Sequence, residues 1–412
     1  MVLPQLPWHG VKELKVTLPE SWDVDICNMA GHNRPRLSPA AMQRAIARPI
    51  GMKPLSEYAR GKKEVVILFD DMARVTRAAE IVPQVLAELA AAGIKDRQIR
   101  FICAGGCHGA LNRADFAKKL GEAVLKRFPV YNHNPFASCV YAGTTSGGTK
   151  VSINAEVMQC DLKIGIGSVV PHIMAGFGGG SKIVLPGVAA YETILALHAP
   201  RHSGEGNKDF SDTVSGMGKL ENNPRRRDID EAADIAGLDM LINAVVNGWG
   251  ETAGLFAGAP RLTYAAALEL AKAHYLTPQA KDKDIVIANS FAKASEAVSG
   301  LLIAWPSVKK SGGDVVLIAN APEGQATHYL MGPFGNSTAG QLKLQMKIPE
   351  NVHRLIIYSE YPELASRNYL EDTGRVVMAD RWAEVMKLLE EEHGPGAKAA
   401  VFPNADIQYS AG

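Results

Sequence analysis

Residues 64–71 read EVVILFDD and residues 98–110 read QIRFICAGGCHGA, and these two stretches decide the fold. Each is a short apolar run that ends in acidic residues or glycines, the pattern of a strand buried on both faces of a parallel sheet. Between them, AAEIVPQVLAELAAAG (78–93) repeats its apolar residues at helical spacing and closes on Gly93. After the second strand, NRADFAKKLGEAVLKRF (112–128) predicts another helix. Strand, loop and helix thus occur twice in order, which argues for an α/β fold with a largely parallel sheet. In such sheets ligands gather at the carboxyl ends of the strands. Asp70, Asp71, Arg74 and His108 all fall there.

The pattern extends in both directions. Upstream, SPAAMQRAIARPI (38–50) predicts a helix capped by Ser38 with Pro39 in its first position, and 11–27 predicts two short strands separated by Pro19. Downstream, 161–171 predicts a strand, 189–198 a helix, and 223–247 a helix followed by a strand. The polar stretch LTPQAKDK (276–283) marks a boundary. Beyond it, DIVIANS (284–290), GDVVLIAN (313–320), HRLIIYSEYP (353–362) and GRVVMAD (374–380) predict strands, and RWAEVMKLLEEEHG (381–394) a helix. The expectation is two α/β domains, a catalytic, cofactor-binding one over 1–278 and a smaller one over 279–412, with the active site in the cleft between them.

A chain of 412 residues is too long for one ordinary core, which agrees with more than one domain. Formal net charge is +1, so no strong field recruits nucleic acid or an anionic membrane. No apolar run reaches the roughly 18 residues of a membrane span, and MVLPQLPWHGVKEL carries no signal pattern. Cys27, Cys103, Cys107, Cys139 and Cys160 form no CxxC pair. They read as reduced thiols, and a cytoplasmic location follows.

Three constellations carry chemistry. The first is GFGGGSK (176–182). Its glycines, Gly178, Gly179 and Gly180, with Ser181, offer backbone N–H groups that can approach a phosphate, and Lys182 adds charge. It is no P-loop, because Ile183 follows the lysine. The competing reading is a tight turn with a solvated lysine. The second is the histidine set His108, His172 and His198, able to act as acids, bases or metal ligands. His198, closing a helix, could equally face the helix dipole. His202 makes no helical pair with it, since Pro200 intervenes. His9, His32, His133, His274, His353 and His393 read as surface or structural. The third is DDMARVTR (70–77), whose carboxylates and arginines can clamp hydroxyl and carboxylate groups or simply cap a helix.

Taken together, DDMAR (70–74), CHGA (107–110), YAGTTSGGTKVSIN (141–154), VVPHIMAGFGGGSKIVLPG (169–187) and ETILALH (192–198) resemble the nickel-pincer-nucleotide-dependent lactate racemase family, closely over about 60–250 and more loosely elsewhere. The resemblance implies an isomerase, a racemase or epimerase of 2-hydroxyacids. It implies that Lys182 links covalently to the nickel-pincer nucleotide and that His198 ligates the nickel. His108 and His172 are then paired acid/base catalysts on opposite faces of the substrate. Arg74 lies near the substrate carboxylate and Asp71 beside the cofactor, and enzymes that make the cofactor are partners. Lys293, in NSFAKASE (289–296), is the candidate second carboxylate partner. Ala73, Val75 and the GFGGGSK loop depart from the family's DDxTRP and GFSGGxK, which points to a substrate other than lactate.

Two other readings use the same residues. A divalent-metal hydrolase or lyase would gather the three histidines and Asp71 around one ion. A non-catalytic phosphate or nucleotide sensor would need only the glycine loop. The stretch HYLMGPFGN (328–336) could serve the substrate or a contact.

Overall fold

The structure is a computed structural model, and it describes residues 1–6, 8–10, 12–198, 216–330, 345–364, 367, 369–371 and 374–410. His202 and residues 331–336 of the 328–336 stretch lie outside the described residues. The chain divides into two compact units. One comprises Arg34–Asn247 and Glu251–Lys272; the other comprises Met1–Asn33, Gly248–Gly250 and Ala273–Gly412.

The first unit is built on a six-stranded sheet of β1 (Val65–Phe69), β2 (Ile99–Cys103), β3 (Val130–Asn132), β4 (Leu162–Ser168), β5 (Met240–Val246) and β6 (Thr252–Gly258). The spatial order is β6-β5-β4-β1-β2-β3, parallel throughout except that β6 runs antiparallel to β5. From β1 the chain winds outward through β2 and β3, then returns to the other side of β1 with β4. That reversal between β1 and β4 is a topological switch point, where neighbouring loops part and leave a crevice.

The helices follow from patterning. In α1 (Pro39–Ala47) the Ser38 hydroxyl accepts from Ala41 N at 3.2 Å, as the sequence predicts. In α2 (Ala78–Ala91), Ala78, Ile81, Val82, Val85 and Leu89 form the buried stripe that packs with Val65, Ile67 and Phe69 of β1. Burial stabilises by about 1.5–3 kcal/mol for each large side chain. The single helix expected over 112–128 is two, α3 (Arg113–Leu120) and α4 (Glu122–Arg127). Gly121 at φ +86 takes a conformation that ends the first helix. The unit also contains α5 (Tyr191–His198), α6 (Pro224–Ala236) and most of α7 (Pro260–His274). Sequence patterning had not resolved α7 or β6.

The second unit has its own sheet, of β7 (Ile285–Asn289), β8 (Gly313–Ile318), β9 (Val352–Tyr358), β10 (Val376–Ala379) and β11 (Lys398–Phe402). A sixth strand, Asp23–Ile26, pairs in parallel with β11 at the edge. The helix α8 (Trp382–Glu392) precedes β11. This arrangement corrects the expected boundary: residues 1–33 belong with 273–412, not with the first domain. The hairpin of Val2–Gln5 and Lys12–Lys15 carries Leu3 and Leu14 into a core shared with Ile285, Ile287, Val316 and Val401. Such a pairing spans almost the whole chain, so local pattern could not foretell it. Among the described residues no helix is long and apolar enough to cross a membrane.

Candidate active site

The site is built at the switch point of the first unit. Register aligns Phe69 of β1 with Cys103 of β2 and Ile166 of β4, so the segments leaving β1 and β2 start level with one another while β4 continues to Ser168. They carry Asp70 and Asp71, then His108, then His172.

Asp71 joins the first of these segments to the second. Its Oδ2 lies 2.5 Å from His108 Nδ1, and its Oδ1 accepts from Ala73 N at 3.0 Å. Asp71 is 5% exposed. A buried carboxylate that accepts from Nδ1 fixes the imidazole tautomer and leaves Nε2 as the atom able to take a proton. Arg74, on the same turn, is half-buried and donates from Nη1 to Ala73 O at 2.7 Å.

Below this turn sits Lys119 of α3, with no exposed side chain. Its Nζ is 2.7 Å from Asp70 Oδ1 and donates to Asp71 O at 2.8 Å and Arg74 O at 2.7 Å. Two hydrogen bonds to carbonyls and one ion pair thus compensate a buried ammonium. Thr76 donates to the other oxygen of Asp70. Burial pushes the Asp70 carboxyl up, and the Lys119 charge opposes that rise. Lys119 was missed in the sequence, yet it lies on the Phe116–Lys119–Leu120 stripe, all three buried.

His172 stands in a two-residue strand paired with Gly176–Phe177. Its Nδ1 accepts from Met174 N at 3.1 Å and Ala175 N at 3.2 Å. Its Nε2 lies 2.8 Å from Lys182 Nζ. The loop of His108 is tied to the same region, because Gly106 N donates to Gly187 O at 2.9 Å and Gly187 N to Lys182 O at 3.1 Å. Gly106 needs its small size: a Cβ there would meet Pro186 O at 3.2 Å.

The glycine loop corrects one expectation. Gly178 N donates to Val170 O at 2.7 Å and Gly180 N to Asn243 Oδ1 at 3.0 Å, so these amides are engaged within the protein. Gly179 and Gly180 have φ of +72 and +62. A Cβ would strike Ser168 O at 2.6 Å in the first and the Arg226 guanidinium at 2.5 Å in the second. Arg226 also donates to Gly179 O at 3.2 Å, stacks 3.9 Å over the Tyr264 ring and pairs with Asp230 at 2.8 Å. Ser181 is buried. Gly179 and Gly180 are therefore demanded by packing against α6, α7 and β4, and their product is the position of Lys182. Arg226 and Asn243 escaped the sequence reading, although an asparagine inside the apolar run MLINAVV was a signal.

His198 is the last residue of α5, with Nδ1 2.7 Å from Ile194 O. That bond makes Nδ1 the donor and turns Nε2 into the available ligand atom. Among the described residues no three His, Cys, Asp or Glu are grouped to hold a metal ion. The arrangement of His108, His172, His198 and Asp71 around one ion is thus without support. Lys293 belongs to the second unit, 5% exposed, with its backbone N donating to Asp406. Burial pushes Asp406 up to about 6, against the opposing Lys293 charge. Cys103 and Cys107 are buried thiols, the latter pushed up to about 12 by burial, and unsuited to thiolate chemistry.

Comparisons with known proteins find relatives along the chain. Residues 9–208 match the Lactate racemase N-terminal domain. Lactate racemase from Lactiplantibacillus plantarum is 31% identical over 290 residues, and lactate racemase from Thermoanaerobacterium thermosaccharolyticum 29% over the same length. Each match covers 69% of this chain and 66% of the relative. The lactate racemase apoprotein structure from T. thermosaccharolyticum superimposes with a TM-score of 0.70 at 23% identity, covering 100% of this chain and 99% of that one. A Thermotoga maritima protein structure follows at 0.67 and 18%, covering 91% and 98%. At those identities the structural likeness is one of fold. From the matched domain, the two relatives and the shared motifs, residues 9–208 of this chain belong to the lactate racemase family.

Proposed function

We propose that this chain is a racemase or epimerase of a 2-hydroxyacid. The observation that carries the reading is the buried Asp71 carboxylate 2.5 Å from His108 Nδ1, at the switch point of the sheet. That pair orients one imidazole as a base. A substrate hydroxyl placed against His108 Nε2 would lose its proton there, and the imidazolium formed would be stabilised by Asp71. His172 would serve the opposite enantiomer. Arg74 would hold the substrate carboxylate, whose planar pair of oxygens suits a guanidinium.

The nickel-pincer nucleotide that the family resemblance implies fits the donor chemistry of two residues. Lys182 offers an amine for a covalent link, and His198 offers an imidazole whose Nδ1 is already engaged with Ile194 O. When bound, the group supplies the electrophile that accepts hydride from the substrate carbon. The chain itself orients the substrate and moves protons at His108 and His172. Ala73 and Val75, where the sequence departs from the family pattern, are both buried. They act through the shape of the 70–77 turn, which favours a substrate other than lactate.

The test is protein co-produced with the cofactor-making enzymes and offered a panel of chiral 2-hydroxyacids, read by chiral chromatography. At least one acid should approach the racemic or epimeric mixture, and a mass adduct should map to Lys182. Asp71→Asn should lower turnover about 10²–10⁴-fold. Adduct-bearing protein that leaves every acid of the panel unchanged would end the reading.

A further inference from the structure

Lys119 reaches the 70–77 turn because of how α3 is seated. The helix starts on a capping box: the Asn112 side chain accepts from Ala114 N at 2.8 Å and Asp115 N at 3.1 Å, and Asp115 Oδ2 accepts from Asn112 N at 3.0 Å. One turn on, the Phe116 ring packs edge-on against Phe69, with centroids 5.9 Å apart and planes at 74°. Phe69 is the last residue of β1, directly before Asp70 and Asp71. Lys119 lies three residues beyond Phe116 on the same buried helical face, so its side chain is delivered under the turn.

The contacts made there are with main chain as much as with charge. Arg74 N donates to Asp71 O at 3.2 Å and closes the turn. Lys119 Nζ donates to the same Asp71 O at 2.8 Å and to Arg74 O at 2.7 Å, one carbonyl at each end, while it pairs with Asp70 Oδ1 at 2.7 Å. A buried ion pair adds little stability over apolar side chains of the same shape, since desolvating both charges offsets their attraction. Apolar side chains cannot hold two carbonyls; an ammonium can. The carbonyls it holds belong to the residue that meets His108 Nδ1 and to the arginine of the same turn.

We infer that Lys119 is a positioning residue for the reaction: its ammonium fixes the main chain at Asp71 and Arg74, and so sets where the carboxylate meets His108 and where the guanidinium meets a substrate carboxylate. The roles of His108 and Arg74 rest on the racemase reading; the grip of Lys119 on the turn does not. Without the ammonium, the Arg74–Val75 peptide loses this donor to its carbonyl. A displacement of about 1 Å at a reacting group costs about 10²-fold in rate.

The test compares two full-length variants, Asp70→Asn and Asp70→Asn with Lys119→Met, at a temperature where both stay folded. In the first, the asparagine oxygen can still accept from Lys119. In the second, neither buried charge remains, so the difference between them reports the hold on the two carbonyls and not an orphaned carboxylate. Nitrogen-15 histidine spectra of the cofactor-free proteins, recorded above the titration of the ring, should show His108 protonated on Nδ1 in Asp70→Asn and a mixture of both tautomers in the double variant. In cofactor-loaded protein, kcat/KM for the acid turned over should be about 10²-fold lower in the double variant, with KM raised as well as kcat lowered. The same His108 tautomer in both variants would overturn the inference, as would equal kcat/KM. If no acid is turned over, the racemase reading fails, and the tautomer comparison still decides the role of Lys119.

Discussion

His133 illustrates how a single ring can be structural rather than catalytic. It is buried, with Nε2 2.8 Å from Ala189 O and Nδ1 3.2 Å from Asn154 Nδ2. Burial lowers its pKa to about 4, since a second proton would be desolvated and would face the Asn154 amide. The folded pKa lies below the ordinary value near 6.5, so the unfolded chain binds the proton more readily. Stability is therefore full above pH 6.5 and is lost as pH falls toward 4, by up to about 3 kcal/mol. Denaturant titrations across that window should show this slope, and His133→Gln should flatten it. Nothing in the residue type separates His133 from His108. The difference is the partner, a carbonyl for one and the Asp71 carboxylate for the other.

At the scale of elements, α3 and the glycine loop each carry a prediction. Lys119→Met should leave the buried Asp70 carboxylate without its cation and destabilise the protein by about 3–5 kcal/mol, seen as a lowered Tm. The Lys119→Met, Asp70→Asn double variant should recover part of that loss, because the carboxylate left without a partner is the larger cost. In the glycine loop, Gly176→Ala should cost far more stability than Gly178→Ala. At Gly176, φ is +69 and a Cβ would lie 2.3 Å from Lys219 O; at Gly178 the nearest atom would be at 3.5 Å. Equal Tm values for the two variants would contradict the packing account of the loop. Helix spacing made α1, α2, α5 and α6 legible, and apolar runs made β1, β2, β4 and β5 legible. The break at Gly121 was missed because the residues around it keep helical spacing on both sides.

For the whole molecule, the telling feature is the strand Asp23–Ile26 against β11. Deleting residues 1–28 should expose the edge of β11 and remove Leu3, Leu14, Val16 and Trp22 from their shared core. Hydrogen exchange should then rise in β7, β8 and β11, while β1, β2 and β4 of the other unit keep their protection. Loss of protection in both units alike would mean that they do not unfold separately.

The sequence alone determined the α/β class, the strands that carry chemistry at their carboxyl ends, and the family through motifs spread from 70 to 198. These rest on period and local turn chemistry, which neighbouring residues impose on one another. Only the tertiary structure decided that Asp71 holds His108, that His172 meets Lys182, that Lys119 stands beneath the turn, and that the first thirty-three residues join the last domain. Each of those depends on groups far apart in the chain, brought into contact by burial and register, and no local pattern records which partner a buried polar group will find.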